Sequence, residues 1–164
     1  MAVIDTFLQL SGSYSGATVT GQNVFASGAS VVSTNAIDTR GGTVTGQNVD
    51  LGAGAPLYLN VTVTTAFAGG TSAAFEIISA DDSALTTNVT PLASSGAIPI
   101  ASLTAGKKVS VPMGVVDPRT IRRYVGYRCT NVGANSAGAV VANLSPFLGD
   151  RSSQQSYQGG FTVN

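Results

Sequence analysis

Apolar and polar residues alternate with a period of two between residues 57 and 67, and this is the clearest pattern in the chain. A period of two predicts a β-strand with one buried face and one partly exposed face. Glycines and Pro56 directly before it predict a turn at the strand entrance. A strand of this length needs a second layer to cover its apolar side. The predicted apolar face consists of Leu57, Leu59, Val61, Val63 and Phe67.

Shorter alternations predict further strands near residues 2–10, 73–78, 97–100, 109–113, 121–130 and 137–148, with a short edge strand between 25 and 40. Pro91 and Pro99 exclude central positions in a sheet. Ile78 faces away from Phe75 and Ile77, which indicates a strand that is covered on both sides or lies at an interface. No segment shows a 3.6-residue period over three turns, so the predicted fold class is all-β, an antiparallel two-sheet β-sandwich.

At 164 residues the chain is long enough for one domain with a substantial core. We predict a single domain over residues 1–164, in which 1–32 form an N-terminal strand or arm and an insertion, and 150–164 form an extended C-terminal tail. The segment GATVTGQNV at residues 16–24 returns as GGTVTGQNV at 41–49. Two interpretations are open: two similar strand-turn segments side by side, or a local duplication within a tolerant surface insertion.

Charged residues make up only 10% of the chain, and hydroxyl and amide side chains replace them on the expected surface. Such a surface suits packing against protein better than attraction to nucleic acid. Residues 1–106 hold one basic and six acidic residues, whereas residues 107–164 hold seven basic and two acidic residues. This division predicts either orientation against a charged partner or pairing of the two halves within one sandwich.

The chain contains no histidine, which removes Ser-His-Asp and Cys-His hydrolysis, imidazole metal sites and the usual general base. Glu76 with Asp81 or Asp82 is the only neighbouring set of carboxylates that a glycosidase could use. The two aspartates are expected to lie in a solvated or capped turn instead. We therefore expect no enzymatic activity, no cofactor and no metal site.

Cys129 is the only cysteine, so no intrachain disulfide can form. It falls on the same strand face as Val125 and Tyr127, which predicts a buried and inert thiol. The N-terminus carries Asp5 and no basic segment, so we expect no signal peptide. The sequence contains no run of about 18 apolar residues, so we expect no membrane-spanning helix. We expect a protein made in a reducing cytoplasm.

Arginine and tyrosine residues interleave in the predicted strand at 121–130. The strand period places Arg122, Tyr124 and Arg128 on one face, opposite Tyr127, and leaves Arg123 near the strand end where it can reach solvent. These residues could bind nucleic acid, but arginine and tyrosine are also enriched in protein interfaces, which is the interpretation favoured here. The tail ends in apolar positions that could dock on a neighbour or tuck under its own sheet. The predicted interface residues are Arg119, Arg122, Arg123, Tyr124, Arg128, Tyr157 and Phe161.

Several segments resemble the Bbp16-type capsid cement proteins of tailed bacteriophages. The resemblance runs in order over most of residues 33–163, and residues 11–32 and the second TVTGQNV copy look like additions to the family pattern. The segments that carry it are STNAID (33–38), VDLGAGAPLYLNVTV (49–63), AIPIASLTAGKKVSVPMG (97–114), RRYVGYRCT (122–130) and GGFTV (159–163).

The resemblance implies a jelly-roll subunit on the outer surface of an icosahedral phage head, made in the cytoplasm of the bacterial host. There it would form a homo-oligomer, a dimer or trimer, and bridge neighbouring copies of an HK97-fold major capsid protein, with no nucleic acid, membrane or small-molecule partner. The alternative is a β-sandwich module that binds carbohydrate or a receptor in a phage tail or fibre. Such modules normally present exposed aromatic platforms, and this chain has no tryptophan.

Overall fold

Two antiparallel sheets pack face to face in the computed structural model, which describes residues 8–15, 18–25, 29–40, 56–114 and 121–146. A 3₁₀ turn at Ile100–Ser102 lies between two strands, and the described residues form no α-helix. The strands are β1 (Gln9–Ser11), β2 (Ser13–Ser15), β3 (Thr18–Thr20), β4 (Gln22–Asn23), β5 (Ser30–Val32), β6 (Ile37–Asp38), β7 (Leu57–Gly69), β8 (Ser72–Ala80), β9 (Thr90–Ser94), β10 (Ile98–Pro99), β11 (Lys108–Gly114), β12 (Tyr124–Val132) and β13 (Asn135–Ser145).

The strand order is that of a jelly roll. The first sheet runs β1, β13, β7, β11, with β4 also paired to β13, and the second runs β10, β8, β12, β5, with β6 beside β12 and β9 beside β8. The chain passes from one sheet to the other between β7 and β8 and again between β12 and β13, as in a jelly roll built from two Greek keys. The predicted antiparallel two-sheet sandwich is confirmed.

Strand β7 lies between β13 and β11, as its alternating pattern requires. Leu59 and Val61 are fully buried and Val63 is nearly so, because every second side chain enters the space between the sheets. Phe67 meets Phe75 of the second sheet edge to face, with ring centroids 6.1 Å apart. Each such side chain contributes about 1.5–3 kcal/mol of transfer free energy, so the two-residue period builds the core.

The prolines in strands lie where a missing N–H does no harm. Pro91 is in β9 and Pro99 is in β10, and both strands pair only with β8 at the edge of the second sheet. Pro112 is in β11, which pairs only with β7 at the edge of the first sheet. The predicted exclusion of Pro91 and Pro99 from central positions is confirmed.

Short N-terminal strands complete both sheets. Of the first strand predicted near residues 2–10, only residues 8–10 are described; β1 begins at Gln9, continues one residue past the predicted end to Ser11, and buries Leu10 fully in the core. The first copy of the repeat forms β3 and β4 and ends in the fully buried Val24, while the second copy lies outside the described residues. Residues 22–24 and 30–32, predicted within an arm and insertion, are therefore parts of the sandwich body. The predicted edge strand between 25 and 40 corresponds to β5 and β6.

A second, smaller apolar cluster covers the outer face of β8 and β12. Ile78 is fully buried there beneath Leu85 from the loop after β8, which confirms that this strand is covered on both sides. Leu85 has a left-handed backbone with φ of 58°. A side chain at Gly126 would collide with it, since an added Cβ would lie 2.3 Å from Leu85 Cδ1. The glycine makes room for the leucine that closes this face.

Candidate interaction surfaces

The start of β12 brings the predicted interface residues to one end of the sandwich. Tyr124 is opposite Ala80 of β8 on one side and opposite Asp38 of β6 on the other. Arg122 and Arg123 directly precede the strand, so they reach the acidic residues that end these neighbours. We call this group the arginine end; its members are Asp38, Asp81, Arg122, Arg123 and Tyr124.

Both arginines at this end form two-pronged ion pairs. Arg122 Nη1 donates to both carboxylate oxygens of Asp81 at 2.9 Å, and its Nε donates to Thr90 Oγ1 at 3.2 Å. Arg123 Nε and Nη2 donate to the two oxygens of Asp38 at 3.0 and 2.9 Å. The guanidinium carbon of Arg123 also lies 5.1 Å from the centre of the Tyr124 ring, which adds a cation–π contact.

Arg128 is paired further along the same strand. It lies opposite Glu76 in the register of β12 and β8; its Nε donates to Glu76 Oε2 at 2.8 Å, and its Nη2 lies 2.7 Å from the same oxygen in an ion pair. Thr130 Oγ1 donates to the same oxygen at 3.3 Å. With side chains 28% and 18% exposed, this pair is the most buried of the three, so solvent screens it least.

Each ion pair joins the acidic N-terminal half of the chain to the basic C-terminal half. The predicted pairing of the two halves within one sandwich is therefore confirmed for Arg122, Arg123 and Arg128. The described part of this surface presents alternating charges and not a stripe of positive charge. The guanidinium groups on this surface are partly exposed and are held in place by their carboxylates.

The aspartates at and beside this end have pKa values below their ordinary range. The hydrogen bonds from Arg123 are the main cause for Asp38, and the same pairing raises the pKa of Arg123. For Asp81, hydrogen bonds from Asn88 and Arg122 lower the pKa. All three groups are held in their charged forms by hydrogen bonding and not by burial.

Asp82 organises the loop after β8 as a turn cap. Its Oδ1 accepts hydrogen bonds from the Thr86 and Thr87 amides at 3.0 and 2.6 Å, and Oδ2 accepts one from Thr86 Oγ1 at 2.8 Å. These bonds lower the pKa of Asp82, the one from the Thr87 amide most. The predicted turn-capping role of the Asp81 and Asp82 segment is confirmed. The carboxylates weighed for hydrolysis are thus engaged in a cap and in ion pairs.

Cys129 and Tyr127 are buried on the inner face of β12, as predicted. Burial raises the pKa of the Cys129 thiol to about 12, which keeps it protonated and unreactive. Burial also raises the pKa of the Tyr127 phenol well above its ordinary value, and the neighbouring Ser11 hydroxyl opposes this shift. The Ser11 and Tyr127 hydroxyl groups are both buried, and within the described ranges they form no hydrogen bond with each other.

Three predicted interface residues, Arg119, Tyr157 and Phe161, lie outside the described residues. In the described ranges no group of three or more His, Cys, Asp or Glu side chains is arranged to hold a metal ion. No helix in those ranges is long and apolar enough to cross a membrane. The carboxylates that pair with these arginines were not predicted as interface residues, and the charge division between the two halves was the only signal for them; they are Asp38, Glu76 and Asp81.

Comparison with protein families gives a match to the Bbp16 family model over residues 19–144, which is most of the chain. The match takes in residues 19–32 and 41–49, contrary to the expectation that residues 11–32 and the second TVTGQNV copy are additions to the family pattern, and it ends before the segment at 159–163. A comparison with curated proteins gives no match.

Proposed function

Because the chain belongs to the Bbp16 family, a phage-related family, we propose that it is a structural virion protein that binds the outside of an icosahedral phage head. On the head it bridges neighbouring major capsid proteins, for which we expect the HK97 fold, and it acts as a homo-oligomer. The observation that carries this proposal is the family match over residues 19–144, together with the jelly-roll order of the strands.

The stabilising mechanism is thermodynamic linkage. A protein that binds the assembled shell, and binds separated subunits less well, stabilises the shell by its binding free energy. Many copies on one head multiply a modest contact, because a bridge bound at one side is held at high effective concentration near its second site. No catalytic step, cofactor or nucleic acid is needed for this role.

The architecture supports this role through its rigidity and its low charge. Both sheets share one core, and the outer face of the second sheet is closed by Leu85 over Ile78. A subunit that is ordered before it binds loses little conformational entropy at the contact. At the arginine end, the Arg122 and Arg123 side chains are 36% and 47% exposed, which leaves surface for a partner to cover.

The test is co-sedimentation of the purified protein with heads of the parent phage that lack it, followed by heating of those heads with and without the protein. We expect saturable binding and a higher temperature of genome release. Absence of binding would contradict the proposal, and specific saturable binding on a glycan array would then favour the carbohydrate-binding alternative.

The arginine end is tested by replacing Arg122 and Arg123 with alanine in one variant. Since exposed ion pairs contribute little to folding, the subunit should melt near the wild-type temperature. Binding to heads should weaken, and more strongly at low salt than at high salt. Deletion of residues 150–164, which contain Tyr157 and Phe161, should likewise leave a folded subunit that attaches less well. Unchanged attachment of both variants would place the contact elsewhere.

A further inference from the structure

The end of the sandwich opposite the arginine end is built from two turns that pack against each other. The turn at 69–71 joins β7 to β8, and the turn at 132–134 joins β12 to β13. The Thr71 amide donates to the Val132 carbonyl at 2.8 Å. A Cβ at Gly133 would lie 2.9 Å from Gly70 Cα, so the two turns touch through their backbones. We call this region, with Phe25 and Ala29, the uncharged end.

Buried amide side chains fix a third segment to these turns. Asn131 Nδ2 donates to the Val24 carbonyl at 2.8 Å and to the Ala29 carbonyl at 3.1 Å. Asn135 Nδ2 donates to Asn131 Oδ1 at 2.6 Å. Because Asn131 and Asn135 are both at least nine-tenths buried, these bonds are shielded from water and hold the backbone on either side in place.

This rigid end presents apolar side chains to solvent. Phe25 is 41% exposed and Val132 is 52% exposed, and only one other large hydrophobic side chain in the described ranges, Val19, is as open. Phe25 directly follows Val24, and Val132 directly follows Asn131. Because the Asn131 side chain is hydrogen-bonded to the Val24 carbonyl, Phe25 and Val132 project from neighbouring stretches of backbone. Ala68 and Ala134 beside them are also exposed.

None of the charged residues in the described ranges lies in these turns. Those of the arginine end, with Arg40 and Asp82, lie at the far end of the second sheet; Glu76 and Arg128 pair midway along it; and Lys107 and Lys108 lie beside Val63 and Thr62, midway along β7. Among the described residues, therefore, no charged group would be desolvated when the uncharged end is covered. A partner that brought its own charge would leave that charge buried and unpaired, so the surface suits an uncharged, partly apolar protein patch.

We propose that the uncharged end is a second contact surface of this subunit and docks on an uncharged apolar patch of the head protein. This inference rests on the proposed function. A bridge needs two separate contacts, and the nine-residue strand β12 separates the two ends of the sandwich by roughly 25–30 Å. The preformed turns lower the entropic penalty of docking, and Phe25 and Val132 supply the apolar anchors.

The test uses the aspartate variants V132D and F25D, with V19D as the matched control. Val19 is comparably exposed but lies in the hairpin of β2 and β3, away from the two turns. We expect V132D and F25D to bind heads at least about tenfold more weakly than wild type, and V19D to bind within about twofold. All three free subunits should melt near the wild-type temperature. Should an aspartate variant melt lower, V132S and F25S provide the measurement.

The outcomes separate the two proposals. If the wild-type protein does not bind heads, the proposed function fails and this inference fails with it. If wild type binds and V132D and F25D bind as tightly as V19D, the uncharged end is not a contact and only this inference is overturned. If V132D instead converts an oligomer of the free subunit to a monomer in sedimentation velocity, the surface meets a second copy, which also overturns docking on the head protein.

Discussion

At the uncharged end, backbone contacts and buried amides hold the turns together, whereas at the arginine end exposed ion pairs join neighbouring strands. The first kind of contact tolerates almost no change in geometry, because glycine backbones touch and the amides lie beyond the reach of water. The second kind is screened by salt and allows long side chains to move. One jelly roll therefore carries a rigid end and an adjustable end.

This difference is relevant to a protein that bridges a shell. A rigid, apolar end can fit one shape closely, and its contact should persist at high salt. An end of partly exposed ion pairs can exchange its intramolecular partners for those of a neighbour at little net cost in free energy. The following substitutions test whether the two ends differ in this way, and they are ordered from the largest expected effect to the smallest.

The largest effect is expected for Gly133→Ala at the uncharged end. Gly133 has φ of +87°, and an added Cβ would press on Gly70 Cα at 2.9 Å. We expect the free energy of unfolding to fall by about 3 kcal/mol or more, from backbone strain plus the clash.

The matched control is Gly106→Ala, because Gly106 has φ of +84° and no atom within 4 Å of an added Cβ. It should cost only the strain, about 1–2 kcal/mol. Urea denaturation measures both. Equal losses would show that the contact between the two turns contributes nothing to stability.

Asn131→Ala should have the next largest effect. The substitution removes the buried donor that reaches the Val24 and Ala29 carbonyls, and unsatisfied buried acceptors cost about 1–3 kcal/mol. The exposed Asn23→Ala serves as control and should change stability by no more than about 0.5 kcal/mol. Hydrogen exchange should show faster opening at Val24 and Thr71 in the Asn131 variant. Unchanged exchange at Val24 and Thr71 would mean that the Asn131 side chain does not hold these segments in place.

Smaller effects are expected for the ion pairs, measured as coupling energies in double-mutant cycles with alanine. The Arg128 and Glu76 pair, the least exposed, should couple by about 1 kcal/mol. The more exposed Arg123 and Asp38 pair should couple more weakly and lose most of that coupling in high salt. If the Arg123 and Asp38 pair coupled as strongly as the Arg128 and Glu76 pair, burial would not determine the coupling energy of these ion pairs.

The sequence predicted the strands well because a period of two is a local property. β7, β8 and β12 lie where their alternation placed them, and Ile78 revealed a face that needed a cover. The residue that covers this face, Leu85, was not predictable, because no local sequence pattern indicates a leucine with a left-handed backbone. The partner of Arg123 lies 85 residues away, and such pairings depend on the register between distant strands, which side-chain periodicity does not encode.

The uncharged end was predictable only in part, for the same reason. Glycines such as Gly69 and Gly133 are typical of turns, but the contact between the two turns depends on how the chain passes between the sheets from β7 to β8 and from β12 to β13. Exposure of Phe25 also depends on the fold, since an apolar residue after a short strand is as easily buried as exposed.

The smallest expected effect is a pH dependence at the arginine end. Hydrogen bonds from Arg123 lower the pKa of Asp38 in the folded state. The stability it contributes is therefore fully present above the ordinary aspartate pKa of about 4 and is lost as the pH falls through the lower folded value. Asp38→Asn should flatten the decline of the urea midpoint between about pH 5 and pH 2, and high salt should narrow the difference from wild type. A variant with the same acid slope as wild type would mean that the exposed pair stores no stability, and that the arginine end is free to exchange its partners.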